Sequence, residues 1–259
     1  MTVTPENRGF QVADIAAAFS LLSRLPVPVD HTRAGERERA AVATWAYPLV
    51  GALLGAIAAL LGNLALWLGA PAGISAALVL AALALMTGAM HEDGLADCAD
   101  GIGGGNSREQ RLKIMKDSRI GAFGAVALAI ALIARWSGIE GLAGAGVLFW
   151  PLVAVGAASR LPMVVAMFFI EPARRDGLSS GIGMPPPRAL AGAIGVALAI
   201  CILSMGFQGL AVVIWAALAP LPLWFWAQAR LGGQTGDVLG ASQQMAEIGA
   251  LAAVAALII

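Results

Sequence analysis

Residues 71–90, PAGISAALVLAALALMTGAM, carry no charged side chain, and comparable apolar runs recur along the chain. A helix needs roughly 20 such residues to cross the hydrocarbon core of a bilayer. A soluble fold would instead have to bury several helices that are apolar all round. Only 12% of the 259 residues are charged, against about 25% in an ordinary soluble domain. The reading is an all-α, polytopic integral membrane helical bundle, one domain over 1–259.

About seven spans are expected, at 45–69, 71–90, 120–137, 141–158 (reaching Ile170 if Pro162 only kinks the helix), 189–206, 208–229 and 245–259. Residues 9–25, GFQVADIAAAFSLLSRL, read as an N-terminal amphipathic helix lying on the membrane or under the bundle, and 30–40 as a charged link completing the 1–44 segment. Residues 1–44 hold too many charges for a secretory signal. Formal net charge is zero, so the global field suggests no nucleic-acid partner. Cys98 and Cys201 lie far apart and read as space-fillers, with Cys98 a conceivable soft ligand.

Lys and Arg collect in loops on the cytoplasmic side of a membrane. With the N-terminus inside, fifteen of the sixteen basic residues fall on that side. Only Arg135 falls towards the outside, at an expected helix end from which it could snorkel. The loops 91–119, 171–188 and 231–244 then all face the cytoplasm.

The stretch HEDGLADCADGIGGGNSREQRLKIMKDSRIG, 91–121, gathers six acidic and five basic residues directly after the uncharged run. Asp93, Asp97 and Asp100 are spaced i, i+4 and i+7, one face if helical. Like charges so spaced repel unless a cation offsets them. Carboxylates without a nearby His or Cys partner favour a hard cation, and Mg²⁺ commonly uses one or two of them plus substrate phosphate. A solvated turn is the plainer reading. Glu92 lies about a quarter-turn away; His91 is a ligand or an interface residue. GIGGGNS, with Gly103, Gly104 and Gly105, reads as a turn whose N–H groups could cradle phosphate. Arg108, Arg111, Lys113, Lys116 and Arg119 suit phosphoryl oxygens and equally a positive flank. Asp117 is open as metal ligand, base or ion-pair partner. EPARRDGLSSGIG pairs Arg174 and Arg175 with Asp176, and GGQTGDVLGA sets Asp237 among glycines, as a phosphate or metal site or a tight turn. Together they suit Mg²⁺-dependent phosphoryl or nucleotidyl-type transfer, which needs charge stabilisation and positioning.

These motifs carry a resemblance. FSLLSRLPVP at 19–28, YPLVGALLG at 47–55, HEDGLADCADGIGGG at 91–105, REQRLKIMKDSRIGAFG at 108–124, SRLP at 159–162, ARRDGL at 173–178 and GGQTGDVLGA at 232–241 stand in one order. In them the chain resembles the cobalamin synthase family, the adenosylcobinamide-GDP ribazoletransferases, over nearly its whole length. The resemblance implies attack of the α-ribazole (or α-ribazole 5′-phosphate) hydroxyl on the phosphorus joined to cobinamide. GMP leaves and adenosylcobalamin, or its 5′-phosphate, is formed, with Mg²⁺ required. It carries over the acidic positions Glu92, Asp93, Asp97, Asp100 and Asp117, with Arg119 and Asp237. Where the family often has Leu before the first Asp, this chain has Glu92, leaving Asp93, Asp97 and Asp100 as the core.

On that footing Asp97 and Asp100 hold Mg²⁺, completed by Asp93 or Asp117, with Glu92 a further candidate. Asp117 or Asp93 is the base. Lys116, Arg119 and Arg175 neutralise phosphates, Arg108 and Asp237 join the substrate site, and Gly103–Gly105 admit it. The implied partners are the two small-molecule substrates and membrane lipid, with room for a homo-oligomer and for other corrinoid-pathway membrane enzymes. Two rival readings use the same features. DCADG at 97–101 suits a CDP-alcohol phosphotransferase, but the AR pair expected after it is missing. A cation-coupled transporter would place acids inside the spans, where the sequence reading puts almost none.

Overall fold

The computed structural model describes residues 9–27, 36–174 and 176–258. Thirteen α-helices follow one another among them: α1 Val12–Leu22, α2 Glu36–Ala43, α3 Tyr47–Trp67, α4 Ala72–Thr87, α5 Met90–Gly104, α6 Arg108–Ile114, α7 Ala122–Gly144, α8 Phe149–Phe169, α9 Leu178–Ile182, α10 Pro187–Met205, α11 Gln208–Leu218, α12 Leu221–Leu231 and α13 Gly236–Ile258. No strand occurs among the described residues, only an isolated bridge between Pro172 and Gln234. Six helical stretches are long and apolar enough to cross a membrane, and seven if α4 and α5 count as one broken span. The all-α polytopic architecture expected from the sequence is therefore the one observed.

Helix α8 is the axis. It is buried along most of its length and packs on α3, α10, α11 and α13. Pro162 lies inside it without ending it. Against α3 the backbones touch: a Cβ on Gly51 would strike the Gly156 carbonyl, and one on Gly156 the Gly51 carbonyl. Between spans, small residues of this kind replace the hydrophobic drive that lipid removes. The outer faces of α3, α4, α7, α10 and α11 leave Leu60, Leu85, Ile133, Leu203 and Ile214 exposed, as a surface towards lipid requires.

Several boundaries depart from the sequence expectation, among them the fourth span, which begins at Phe149 rather than 141. The second span ends at Gly88, which caps α4 with φ 66°, and Ala89 follows with φ 56°. The chain then turns by 89° into α5. Residues 91–104, expected as part of a loop, are thus helical. Likewise α13 starts at Gly236 rather than 245, absorbing most of the expected 231–244 loop. Polar residues hid both extensions, because periodicity of apolar residues was the signal being read. Finally α7 reaches Gly144, which puts Arg135 in the second half of a long helix and not at an end.

Candidate active site

At one end of the bundle α5, the first turn of α13 and the 170–177 loop meet. A Cβ on Gly94 would come within 2.7 Å of the Asp237 carbonyl, so glycine lets α5 lie directly on α13. The 170–177 loop is tied to the 232–235 link by Ala173 N–H to the Gln234 carbonyl (2.8 Å) and Gln234 N–H to the Glu171 carbonyl (2.9 Å).

This convergence gathers carboxylates. Asp97, half-buried on α5, feels the charges of Asp93, Asp237 and Asp100, opposed by that of Arg174. Arg174 donates to Asp237 Oδ2 at 3.2 Å, and the Thr235 hydroxyl donates to the same oxygen at 3.1 Å. Lys116 pairs with Asp176 across the site. Asp93 is exposed and makes no ion pair among the described residues. Asp100 accepts the N–H groups of Gly121 (2.7 Å) and Gly124 (2.9 Å), capping α7. Its position there uses the positive end of the helix dipole. A Cβ on either glycine would overlap the Asp100 carboxylate, which gives RIGAFG its spacing.

Several expected site residues are placed otherwise. Gly103 and Gly104 form the last turn of α5, and Gly105 is its cap, closed against Arg111. Helical N–H groups bond carbonyls four residues back, so this is not the phosphate cradle expected of a glycine turn. Arg108 is a fastener, donating to the carbonyls of Leu231 (2.7 Å) and Ala173. Asp117 is clasped by Arg119 through Nε (3.0 Å) and Nη2 (2.7 Å), which pulls its carboxyl down to about 2. Arg175 lies outside the described residues. Among the described residues no three His, Cys, Asp or Glu side chains stand as a ready-made metal cage.

Below the carboxylates lies a second constellation that the sequence reading missed. Arg135 is 1% exposed. It donates through Nη1 to Glu92 Oε1 at 2.8 Å and Gln244 Oε1 at 2.9 Å, and through Nε to Glu247 Oε1 at 2.9 Å. Gln243 donates to Glu247 Oε2 at 2.6 Å, and Arg160 stands 3.7 Å from the same oxygen. Arg135 therefore does not snorkel, and the span interiors do hold acids. Two guanidinium groups balance two carboxylates, the condition under which buried charge is tolerated. Glu92 thus turns away from Asp97 towards α7 and α13. The available signal was a lone Glu and a lone Arg inside apolar runs, which in a membrane points to a partner.

Comparisons with known proteins place the chain in a family. Residues 14–255 match the family described as cobalamin-5-phosphate synthase. A protein of Bradyrhizobium diazoefficiens named adenosylcobinamide-GDP ribazoletransferase is 42% identical over 238 residues, covering 92% of this chain and 91% of its own length. Proteins of the same name from Mesorhizobium japonicum (42% identical, 92% and 91% covered) and Ralstonia nicotianae (40%, 89% and 90%) match as well. The chain belongs to the cobalamin-5-phosphate synthase family. No solved structure matches it. As a member of that family it is a transferase of cobalamin synthesis, and the phospholipid and transporter readings fall away. Family membership also covers the elements that build the site, since α5, α8 and the first turn of α13 all lie inside the matched residues.

Proposed function

We propose that the chain joins adenosylcobinamide-GDP to α-ribazole, or its 5′-phosphate, releasing GMP and forming adenosylcobalamin or its 5′-phosphate. The carrying observation is the convergence of Asp93, Asp97, Asp100 and Asp237 beside Arg174 and Lys116 in a member of this family. The acceptor's hydroxyl oxygen bonds to the phosphorus on the cobinamide side. The bond from that phosphorus to the bridging oxygen breaks, GMP keeps the electron pair, and the hydroxyl proton passes to a carboxylate.

Asp93, exposed and unpaired, suits that proton. Asp117 suits it poorly, because a carboxyl held at about 2 by Arg119 is a weak base near neutrality. Arg174 and Lys116 now rest on Asp237 and Asp176. Both can exchange these partners for phosphate oxygens, keeping their charge paired throughout. Arg119, exposed on the link before α7, adds a further positive charge.

The donor set fits Mg²⁺. Like-charged oxygens crowd Asp97, and Mg²⁺ takes one or two carboxylates, completing its shell with water and phosphate. A three-residue cage is therefore not required. Asp97 with Asp93 or Asp237 would hold the ion, with Asp100 steadied by the α7 N-terminus behind them. Bound there, Mg²⁺ supplies charge neutralisation for the diphosphate. Glu92, committed to Arg135, falls outside this set.

The site faces the cytoplasm in this reading. None of the sixteen Lys and Arg residues lies in the links 68–71, 145–148 and 206–207 at the other face, the asymmetry that sets orientation. The deciding experiment supplies purified protein in nanodiscs with adenosylcobinamide-GDP, α-ribazole and Mg²⁺, and follows GMP and cobalamin together. One-to-one appearance, lost with EDTA and in Asp97→Asn, is expected. Neither product from folded protein overturns the assignment.

A further inference from the structure

Beside the start of α5 and the first turn of α13 is a partly enclosed chamber of about 30 Å³, room for about two water molecules. Leu21, Leu22, Met90, Met163, Met167 and Leu239 give it an apolar wall. Tyr47 and His91, each 1% exposed, also line it, with Ser179. Tyr47 Oη and His91 Nε2 have no hydrogen-bond partner. Buried polar atoms of this kind are uncommon, because each costs its desolvation. Two of them in one apolar chamber are the mark of a ligand or of trapped water.

The position of the chamber favours a ligand. Gly236, on the chamber wall, directly precedes Asp237. A molecule held here would lie beside the Asp237 end of the carboxylate group. The roof includes Ser179 and Ile182 of α9, a five-residue helix between Gly177 (φ 145°) and Gly183 (φ 84°). Glycine at both ends lets the short helix swing as a unit. A latch crosses from it, Ser179 Oγ to Gln234 Oε1 at 2.6 Å.

We propose that this chamber is the closed form of the pocket for the acceptor's aromatic base, with α9 as its lid. The inference rests on the transferase reading above and extends it to a subsite. The chemistry separates the two bases that the reaction handles. Guanine carries several donors and acceptors and would leave most of them unpaired against these walls. The base of α-ribazole is an apolar bicycle with one unsubstituted ring nitrogen. Tyr47 Oη donates to that nitrogen, and His91 Nε2 takes a sugar hydroxyl. The three methionines supply thioether contacts to the ring, which suit aromatic partners. Opening α9 enlarges the chamber, and closing it expels water from beside the reacting hydroxyl.

The test compares two acceptors on the full chain in nanodiscs, α-ribazole and the same riboside with an indole base, which lacks the ring nitrogen. Binding is measured by calorimetry without the donor, and KM for each substrate separately. Tyr47→Phe is expected to weaken α-ribazole about tenfold, the worth of one hydrogen bond. The indole riboside should bind wild type and Tyr47→Phe alike, and KM for adenosylcobinamide-GDP should stay within about twofold. Leu239→Phe, which fills the chamber, should weaken both acceptors. Wild-type protein that makes cobalamin, with Tyr47→Phe indifferent to either acceptor, overturns the pocket and assigns the two atoms to trapped water. Wild-type protein that neither binds nor consumes α-ribazole overturns the transferase reading and this inference with it.

Discussion

Asp100 shows how one side chain can serve stability and chemistry together. Both carboxylate oxygens accept N–H groups at the start of α7, while the same charge presses on Asp97. Asp100→Asn should therefore lower both activity and thermal stability, the latter by about 1 kcal/mol as for a lost helix cap. Asp97→Asn should cost activity alone, about 10²–10³-fold as for one electrostatic group in an active site, with unchanged melting in detergent. Equal stability loss in both variants would refute that division of labour. Asp117 gives a pH test. Its pKa is depressed by Arg119, so it is ionised above about 2 and loses that charge only as pH falls through that value. Any loss of activity on mild acidification should therefore survive Asp117→Asn, read from the pH–rate profiles of the two proteins. These carboxylates were legible from their spacing alone. Their partners were not, because Arg174, Thr235 and Gly121 reach them through tertiary contact.

At the scale of elements, the break between α4 and α5 decides where the carboxylates stand. It needs two successive left-handed residues, Gly88 and Ala89, and only the first is glycine. A left-handed alanine costs roughly 1–2 kcal/mol. Ala89→Gly should recover about 0.5–1 kcal/mol of this after glycine's own entropy cost, read as a raised melting temperature. Beneath the break, the charge quartet ties α5 to α7, α8 and α13 through Glu92, Arg135, Arg160 and Glu247. Arg135→Met strands two carboxylates and should cost about 3–5 kcal/mol. Pairing it with Glu247→Met restores the charge balance and should recover part of that loss, measured by thermal unfolding in one detergent. An additive double variant would show that the residues act independently. The apolar spans were legible as runs. The quartet was not, because a lone Arg in a sequence carries no address for its partner 112 residues away.

Across the whole molecule, the arrangement joins a lipid-facing shell to a polar site at one end only. Its proposed orientation rests on charge: the links at the far face hold no Lys or Arg, while α6 and its flanks hold Arg108, Arg111, Lys113, Lys116 and Arg119. A bundle with this distribution is expected to insert with the basic end in the cytoplasm, the orientation proposed above. The native cysteines favour a direct check, since Cys98 and Cys201 are both buried and should react slowly with a membrane-impermeant maleimide. Ser118, exposed beside the site, and Ala145, exposed at the far links, can each be replaced by cysteine in separate variants. In intact spheroplasts Ala145→Cys should label and Ser118→Cys should not; in inverted vesicles the pattern should reverse. The opposite result would place the site outside the cell and remove the electrostatic basis for its orientation. Labelling of both positions from one side would mean that the α7 stretch between them fails to cross. That stretch was expected from the sequence to end at 137, and its true length, to Gly144, is what carries Arg135 into the interior and separates the two faces.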